Sequence, residues 1–105
     1  MAQFDVYVNP QLGSRGQVPY VLDVQSDLLD ALPSRLVLPL MTTGAAPKNV
    51  PRNLCPSIEV GGATFVLMPQ LAAPVAAKLL RKTVVSVRSR ASDISAAMDA
   101  VLSGF

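Results

Sequence analysis

Three carboxylates crowd one short stretch of this chain: Asp23, Asp27 and Asp30 lie within Asp23-Val24-Gln25-Ser26-Asp27-Leu28-Leu29-Asp30. Clustered carboxylates are the raw material of a cation site, but this spacing fits no defined metal loop. Asp side chains at such intervals also bond nearby backbone N–H groups and so shape turns and caps. The three aspartates are expected to shape a turn. Ser26, in the same stretch, lacks a G-x-S-x-G setting, and the chain has no histidine to activate it. Cys55 is the only cysteine, which excludes an intrachain disulfide, and with a single glutamate beside the aspartates it makes no zinc site. It sits between Leu54 and Pro56, with Arg52 as the nearest charge in sequence, and reads as a small core residue. Neither a P-loop nor a G-x-G-x-x-G sequence occurs. Any enzyme here would have to work with Arg, Asp and Thr alone. No catalytic residue, cofactor or metal is expected.

The elements around these residues are mostly strands. Gln3–Val8 alternates, with Phe4, Val6 and Val8 on one face and Asp5 and Tyr7 on the other. Tyr20–Gln25 alternates again, Tyr20, Leu22 and Val24 opposing Val21, Asp23 and Gln25. Arg35–Leu40 is a third strand with Leu36, Leu38 and Leu40 on one side; Pro39 cannot donate to a ladder and is expected near a strand end, an edge or a bulge. Ser57–Val60 and Ala63–Met68 flank Gly61-Gly62, a two-residue hairpin signal. Val75–Leu80 and Val84–Val87 complete the strands. Residues 9–17 and 41–57 are irregular, rich in Pro and Gly. The period then changes: Ile94, Ala97, Met98, Val101 and Leu102 form one stripe of a helix, with Ser92 or Ser89 as its cap and Asp93 in the first turn. Gly104 suits the left-handed residue that ends it, with Phe105 folding back on Ala100.

A chain of 105 residues, half of them hydrophobic, fits one domain, residues 1–105, with a core that needs no staples. Strands without intervening helices, then one terminal helix, give an antiparallel sheet with the helix across it. The net charge of +2 is too small to imply nucleic-acid binding, but its distribution is uneven. Residues 1–30 carry four aspartates against Arg15, a net of −3, whereas residues 78–90 carry Lys78, Arg81, Lys82, Arg88 and Arg90 with no acid. Such a run either blocks an edge strand against aggregation or docks an acidic partner. No signal segment opens the chain and no apolar run approaches 18 residues, so a cytoplasmic protein is expected.

The chain resembles the CcdB toxin family over nearly its whole length. Gln3-Phe4-Asp5-Val6-Tyr7 is similar to the family's opening strand. The likeness is densest at Asp23–Asp30 and at Arg35-Leu36-Val37-Leu38-Pro39-Leu40. It continues through Leu54-Cys55-Pro56-Ser57-Ile58-Glu59-Val60 and closes with a helix that ends in a glycine and one apolar residue. The resemblance implies an antiparallel SH3-like barrel sheet, a small accessory sheet, a C-terminal helix, and a homodimer. It implies a non-enzymatic bacterial toxin of a toxin–antitoxin pair that binds the A subunit of DNA gyrase and traps the cleaved gyrase–DNA complex. A CcdA-like antitoxin with a disordered tail would neutralise it. The family's gyrase-binding positions correspond here to Leu28, Leu29, Asp99, Leu102, Ser103, Gly104 and Phe105. Ser103 stands where the best-studied members carry tryptophan, and Phe105 replaces a final aliphatic residue. Two alternatives accompany this reading. One is an endoribonuclease of the related MazF fold, using Arg and Thr or Ser around a phosphate. The other is a chromosomal homologue that has drifted to weak or no toxicity.

Overall fold

A computed structural model describes residues 2–51 and 53–104. It contains seven strands and one α-helix: β1 (Asp5–Val8), β2 (Tyr20–Asp23), β3 (Ser34–Thr42), β4 (Ser57–Val60), β5 (Ala63–Leu67), β6 (Ala73–Ala76), β7 (Thr83–Ser86) and α1 (Ala91–Ser103). All pairings are antiparallel, in the order β4-β5-β3-β2-β1-β7, with β6 also on β3. The fold is therefore mainly β with one C-terminal helix, as expected. The small accessory strands join the main sheet through β3.

That nine-residue strand is the spine, and Pro39 explains how it serves two partners. On one side β3 pairs β2 through Val37–Leu40. On the other its first half, Ser34–Val37, pairs β6, and its last residues, Leu40–Thr42, pair β5. Pro39 falls between the two. Its carbonyl accepts from Met68 N–H at 3.0 Å, so its nitrogen points to that same side, where the ladder changes partner. The expectation of a strand end, an edge or a bulge for Pro39 is thus corrected: it lies inside a central strand, at a seam where no ladder donor is missed. The hairpin signal is realised, with Gly61 at φ +60° and Gly62 at φ +83°, the positive values that a two-residue type I′ turn requires.

Period-two alternation gives this sheet two apolar faces. Val6, Leu22, Leu38, Leu40, Ile58, Val60 and Leu67 fill the main core with Phe4, Phe65, Val87 and Ile94. Tyr20 meets Phe65 edge-on at 5.2 Å. Tyr7, Val21, Val37 and Leu80 make a smaller cluster on the opposite face. The helix covers the main face, Ile94 entering the core with Ala91 and Met98 packed beside it. Ala97 and Ala100 are also buried, and small residues there let the helix lie close.

Several boundaries move for identifiable reasons. β1 starts at Asp5, because Phe4 adopts φ +72°, donates to Asp23 O at 2.6 Å and receives Val87 N–H at 2.8 Å. Its ring still reaches the core, whereas Val8 is exposed. β2 stops at Asp23, where the acidic turn begins. The irregular segment expected from 41 starts after Thr42, since β3 runs on to pair β5. β6 begins earlier than expected and ends at Ala76, followed by a 3₁₀ turn, Ala77–Leu79, rather than a strand to Leu80. Val87 leaves β7 and enters the core. The helix has no serine cap: Arg90 occupies the N-cap position without a side-chain bond and instead pairs Asp93 at 2.9 Å and Ser57 O at 2.9 Å. The predicted stripe is rotated at its end, where Ala100 is buried while Val101 and Leu102 face outward.

Burial also sets the chain's response to alkali. Burial pushes the Tyr7 phenol up from its ordinary range, Thr83 drawing it back in part, and burial likewise raises the Cys55 thiol. The Tyr7 hydroxyl has no hydrogen-bond partner of good geometry. Groups raised in the folded state give full stability below their unfolded pKa and lose it as pH rises through the folded one. Denaturant midpoints are expected to hold between pH 7 and 8 and to fall above about pH 9–10. Tyr7→Phe removes a buried unsatisfied hydroxyl, so it should raise stability by up to about 1 kcal/mol and flatten that alkaline loss. A destabilised Tyr7→Phe protein in urea titrations would show that the hydroxyl is satisfied after all.

Candidate functional site: the acidic turn and the helix end

The stretch from Asp23 to Asp30 is organised around one guanidinium. Arg35, at the start of β3, is fully buried on the same sheet face as Val37, and Asp23, on the neighbouring strand, is fully buried beside it. Arg35 Nε donates to Asp23 Oδ2 at 2.8 Å and Nη2 approaches the same oxygen at 2.8 Å. Nη1 bonds Asp30 Oδ1 at 3.0 Å, Nη2 reaches the Gln25 carbonyl at 3.4 Å, and Asp27 Oδ1 stands 3.9 Å away. The three carboxylates thus converge on a cation the chain itself supplies. No group of three or more His, Cys, Asp or Glu positioned for a metal occurs among the described residues.

Turn chemistry is present as well. Asp23 Oδ1 accepts from Gln25 N–H at 3.0 Å, Ser26 Oγ from Leu28 N–H at 3.2 Å, and Asp27 Oδ1 from Gln3 N–H at 2.9 Å. Gln25 staples the two limbs, donating to Leu29 O and Ser34 O and accepting from Leu36 N–H at 3.0 Å. Burial pushes the Asp23 carboxyl up, opposed by the Arg35 hydrogen bond, the Gln25 N–H and the Arg35 charge. The Arg35 hub was missed from sequence. The available signal was that Arg35 shares its face with Val37 and Asp23 with Val21, two opposite charges on faces that are otherwise apolar.

The result is an exposed apolar projection on a rigid base. Leu28, in the 3₁₀ turn Asp27–Leu29, is 94% exposed, and Leu29 is half exposed. The helix end is a second projection. Leu102 is 80% exposed, Ser103 Oγ donates to Asp99 O at 2.6 Å, and Gly104, at φ +80°, donates to Ala100 O at 2.8 Å. Gly104 is the left-handed terminator that the sequence signals. Phe105 lies outside the described residues. Asp99 borders a cleft with Gln3, Phe4, Val24, Leu36 and Met98. No hydrogen bond or ion pair joins the turn to the helix end among the described residues. Arg88 lies near the turn, over the Phe4 ring at 5.8 Å and 3.8 Å from Asp27.

The curled antiparallel sheet thus carries two exposed apolar side chains, Leu28 on the acidic turn and Leu102 at the helix end. The family model of the CcdB protein matches residues 3–104, and the chain belongs to that family, the toxins of toxin–antitoxin pairs. No helix among the described residues is long and apolar enough to cross a membrane.

Proposed function

We propose that this protein is a gyrase poison. It binds the A subunit of DNA gyrase when the enzyme has cleaved DNA and stabilises that state, so that double-strand breaks persist. A ligand that prefers one conformation shifts the population toward it and needs no catalytic group of its own. Family membership supports the reading, and the observation that carries it is the helix end. Leu102 is almost fully exposed on a helix terminated by Gly104, and exposed large apolar residues on an ordered element are contact material. Leu28 and Leu29, Asp99, Leu102, Ser103, Gly104 and Phe105 form the proposed gyrase surface. A gyrase–DNA cleavage assay with purified protein tests it. Accumulated protein-linked breaks support the target, and no breaks from folded protein would remove it.

In this proposal the toxin acts in the cytoplasm of a bacterium as a homodimer and is silenced by a CcdA-like antitoxin near loops 9–17 and 41–52 and the basic segment 78–90. The dimer is supported by Val101, an apolar residue of the helix that the fold leaves partly uncovered. Sedimentation equilibrium at micromolar concentration is expected to give about twice 11.1 kDa. A clean monomer would count against it.

A further inference from the structure

Between β2 and β3, residues 26–33 belong to no strand. Leu28 is almost wholly exposed, and Leu29 and Leu32 are about half exposed, so packing alone does not fix the segment that carries them. Local bonds curl it: Leu29 N–H donates to Ser26 O at 2.9 Å, Asp30 N–H to Asp27 O at 3.1 Å and Leu32 N–H to Leu29 O at 3.1 Å. Such bonds shape a turn without orienting it on the protein. Three ties from outside the segment do that. Gln3 N–H donates to Asp27 Oδ1 at 2.9 Å, Gln25 Nε2 to Leu29 O at 3.2 Å, and Arg35 Nη1 to Asp30 Oδ1 at 3.0 Å. Of the three anchors, Arg35 alone is fully buried, whereas Gln3 and Gln25 are half-buried. Its guanidinium is itself immobilised, because Nε and Nη2 both meet Asp23 Oδ2 at 2.8 Å.

We propose that Asp30 is a positioning residue: through its ion pair with Arg35 it fixes the turn Asp27–Leu29 and so presents Leu28 to gyrase already ordered. The inference rests on the gyrase reading for the partner, and not for the order of the turn. A mobile turn surrenders its freedom when it binds, and the affinity falls by that amount; a turn fixed beforehand avoids the loss. The two carboxylates on Arg35 thus divide the work. Asp23 is buried with it and joins β2 to β3, whereas Asp30 is exposed and joins the turn to that pair. Removing Asp30 strands no buried charge, because Arg35 keeps both of its contacts with Asp23. A substitution there therefore loosens the turn and leaves the fold in place.

The test combines backbone dynamics with a gyrase–DNA cleavage titration, both on the full-length protein. Order parameters of the Leu28 and Leu29 amides, from nitrogen-15 relaxation, are expected at about 0.8 in wild type and below about 0.6 in Asp30→Ala. The toxin concentration for half-maximal cleavage is expected to rise about fivefold in Asp30→Ala. It should rise less in Asp30→Asn, which keeps an oxygen for Arg35 Nη1. Urea midpoints should match wild type in both. A double-mutant cycle gives the readout that a purely structural role does not move. With Leu28→Ala already in place, Asp30→Ala should cause no further loss, since Asp30 acts through Leu28. Asp93→Ala removes an exposed aspartate paired to Arg90 instead, and should trap as wild type does. Unchanged order parameters, losses that simply add in the cycle, or a urea midpoint that falls together with trapping would each overturn the proposal. No trapping by wild type, with a turn that Asp30→Ala loosens, condemns the gyrase reading alone. Trapping that Asp30→Ala leaves undiminished condemns the positioning role alone.

Discussion

Replacing Arg35 by alanine is expected to cost about 3–5 kcal/mol of stability, the penalty for leaving a buried charge without its partner. Asp23 is fully buried and receives two Arg35 nitrogens on one oxygen at 2.8 Å. In a domain of this length, such a loss should lower Tm by more than about 12 °C. The pH dependence gives the effect a signature. Burial already raises Asp23, and without Arg35 its carboxyl rises further. A raised carboxyl contributes stability that is complete below its unfolded pKa and lost as pH rises through the folded one. The Arg35→Ala protein should therefore recover part of its deficit as pH falls toward about 4, the ordinary Asp range. Arg35→Met combined with Asp23→Leu should restore much of the stability, because an apolar pair of similar size carries no desolvation cost. Differential scanning calorimetry at two pH values distinguishes these outcomes. An Arg35→Ala protein melting within a degree or two of wild type would mean that the pair does not hold the turn.

The second large effect belongs to the helix end. A chain ending at Leu102 is expected to lose gyrase trapping while keeping its fold. Ser103 and Gly104 lie outside the core, and Ile94, Ala97 and Ala100 stay packed without them. What stability is lost is the Gly104 N–H to Ala100 O closure at the helix terminus, on the order of 1 kcal/mol. Phe105→Ala and Leu102→Ala should each cost about 2 kcal/mol or more of gyrase binding if either residue is an anchor, roughly a thirtyfold loss. Ser103→Trp should strengthen trapping, since an indole offers a large contact area at low entropic cost. Thermal melts and cleavage assays run in parallel separate binding from stability. Full cleavage by the shortened chain would exclude the mechanism, and silence from wild type, Phe105→Ala and Ser103→Trp alike would favour a drifted homologue.

Alternation and turn chemistry made most of the fold legible. Val6, Leu22 and Leu38 fall at period-two positions, and only Gly61-Gly62 offered two adjacent residues free to take positive φ. The Gly104 terminus was readable for the same reason. Pro39 was misplaced because a missing donor matters only on the side where a partner stands, and the seam between β5 and β6 is a long-range fact. The helix face drifted because Ala100 counts as weakly apolar in a pattern, yet a small residue is what close packing against the sheet selects. Arg35 was hidden for a third reason. Alternation assigns a charged residue to the solvent face, and burial of the Asp23–Arg35 pair becomes visible only when both strands are laid side by side. The proposed contact residues Leu28 and Leu102 came from resemblance. Their exposure shows that they are available to a partner and leaves the partner to experiment.

The aromatic residues give the protein a clean optical vocabulary. It has no tryptophan and only two tyrosines, one on each side of the sheet: Tyr20 edge-on to Phe65 at the main core, Tyr7 in the opposite cluster. Near-ultraviolet circular dichroism thus reports both faces, and Tyr7→Phe leaves a spectrum dominated by the Tyr20 side. Against that background the indole of Ser103→Trp would be the sole red-shifted emitter in the molecule. It would sit at the helix end, where its emission could follow gyrase engagement by fluorescence with no interference from the rest of the chain.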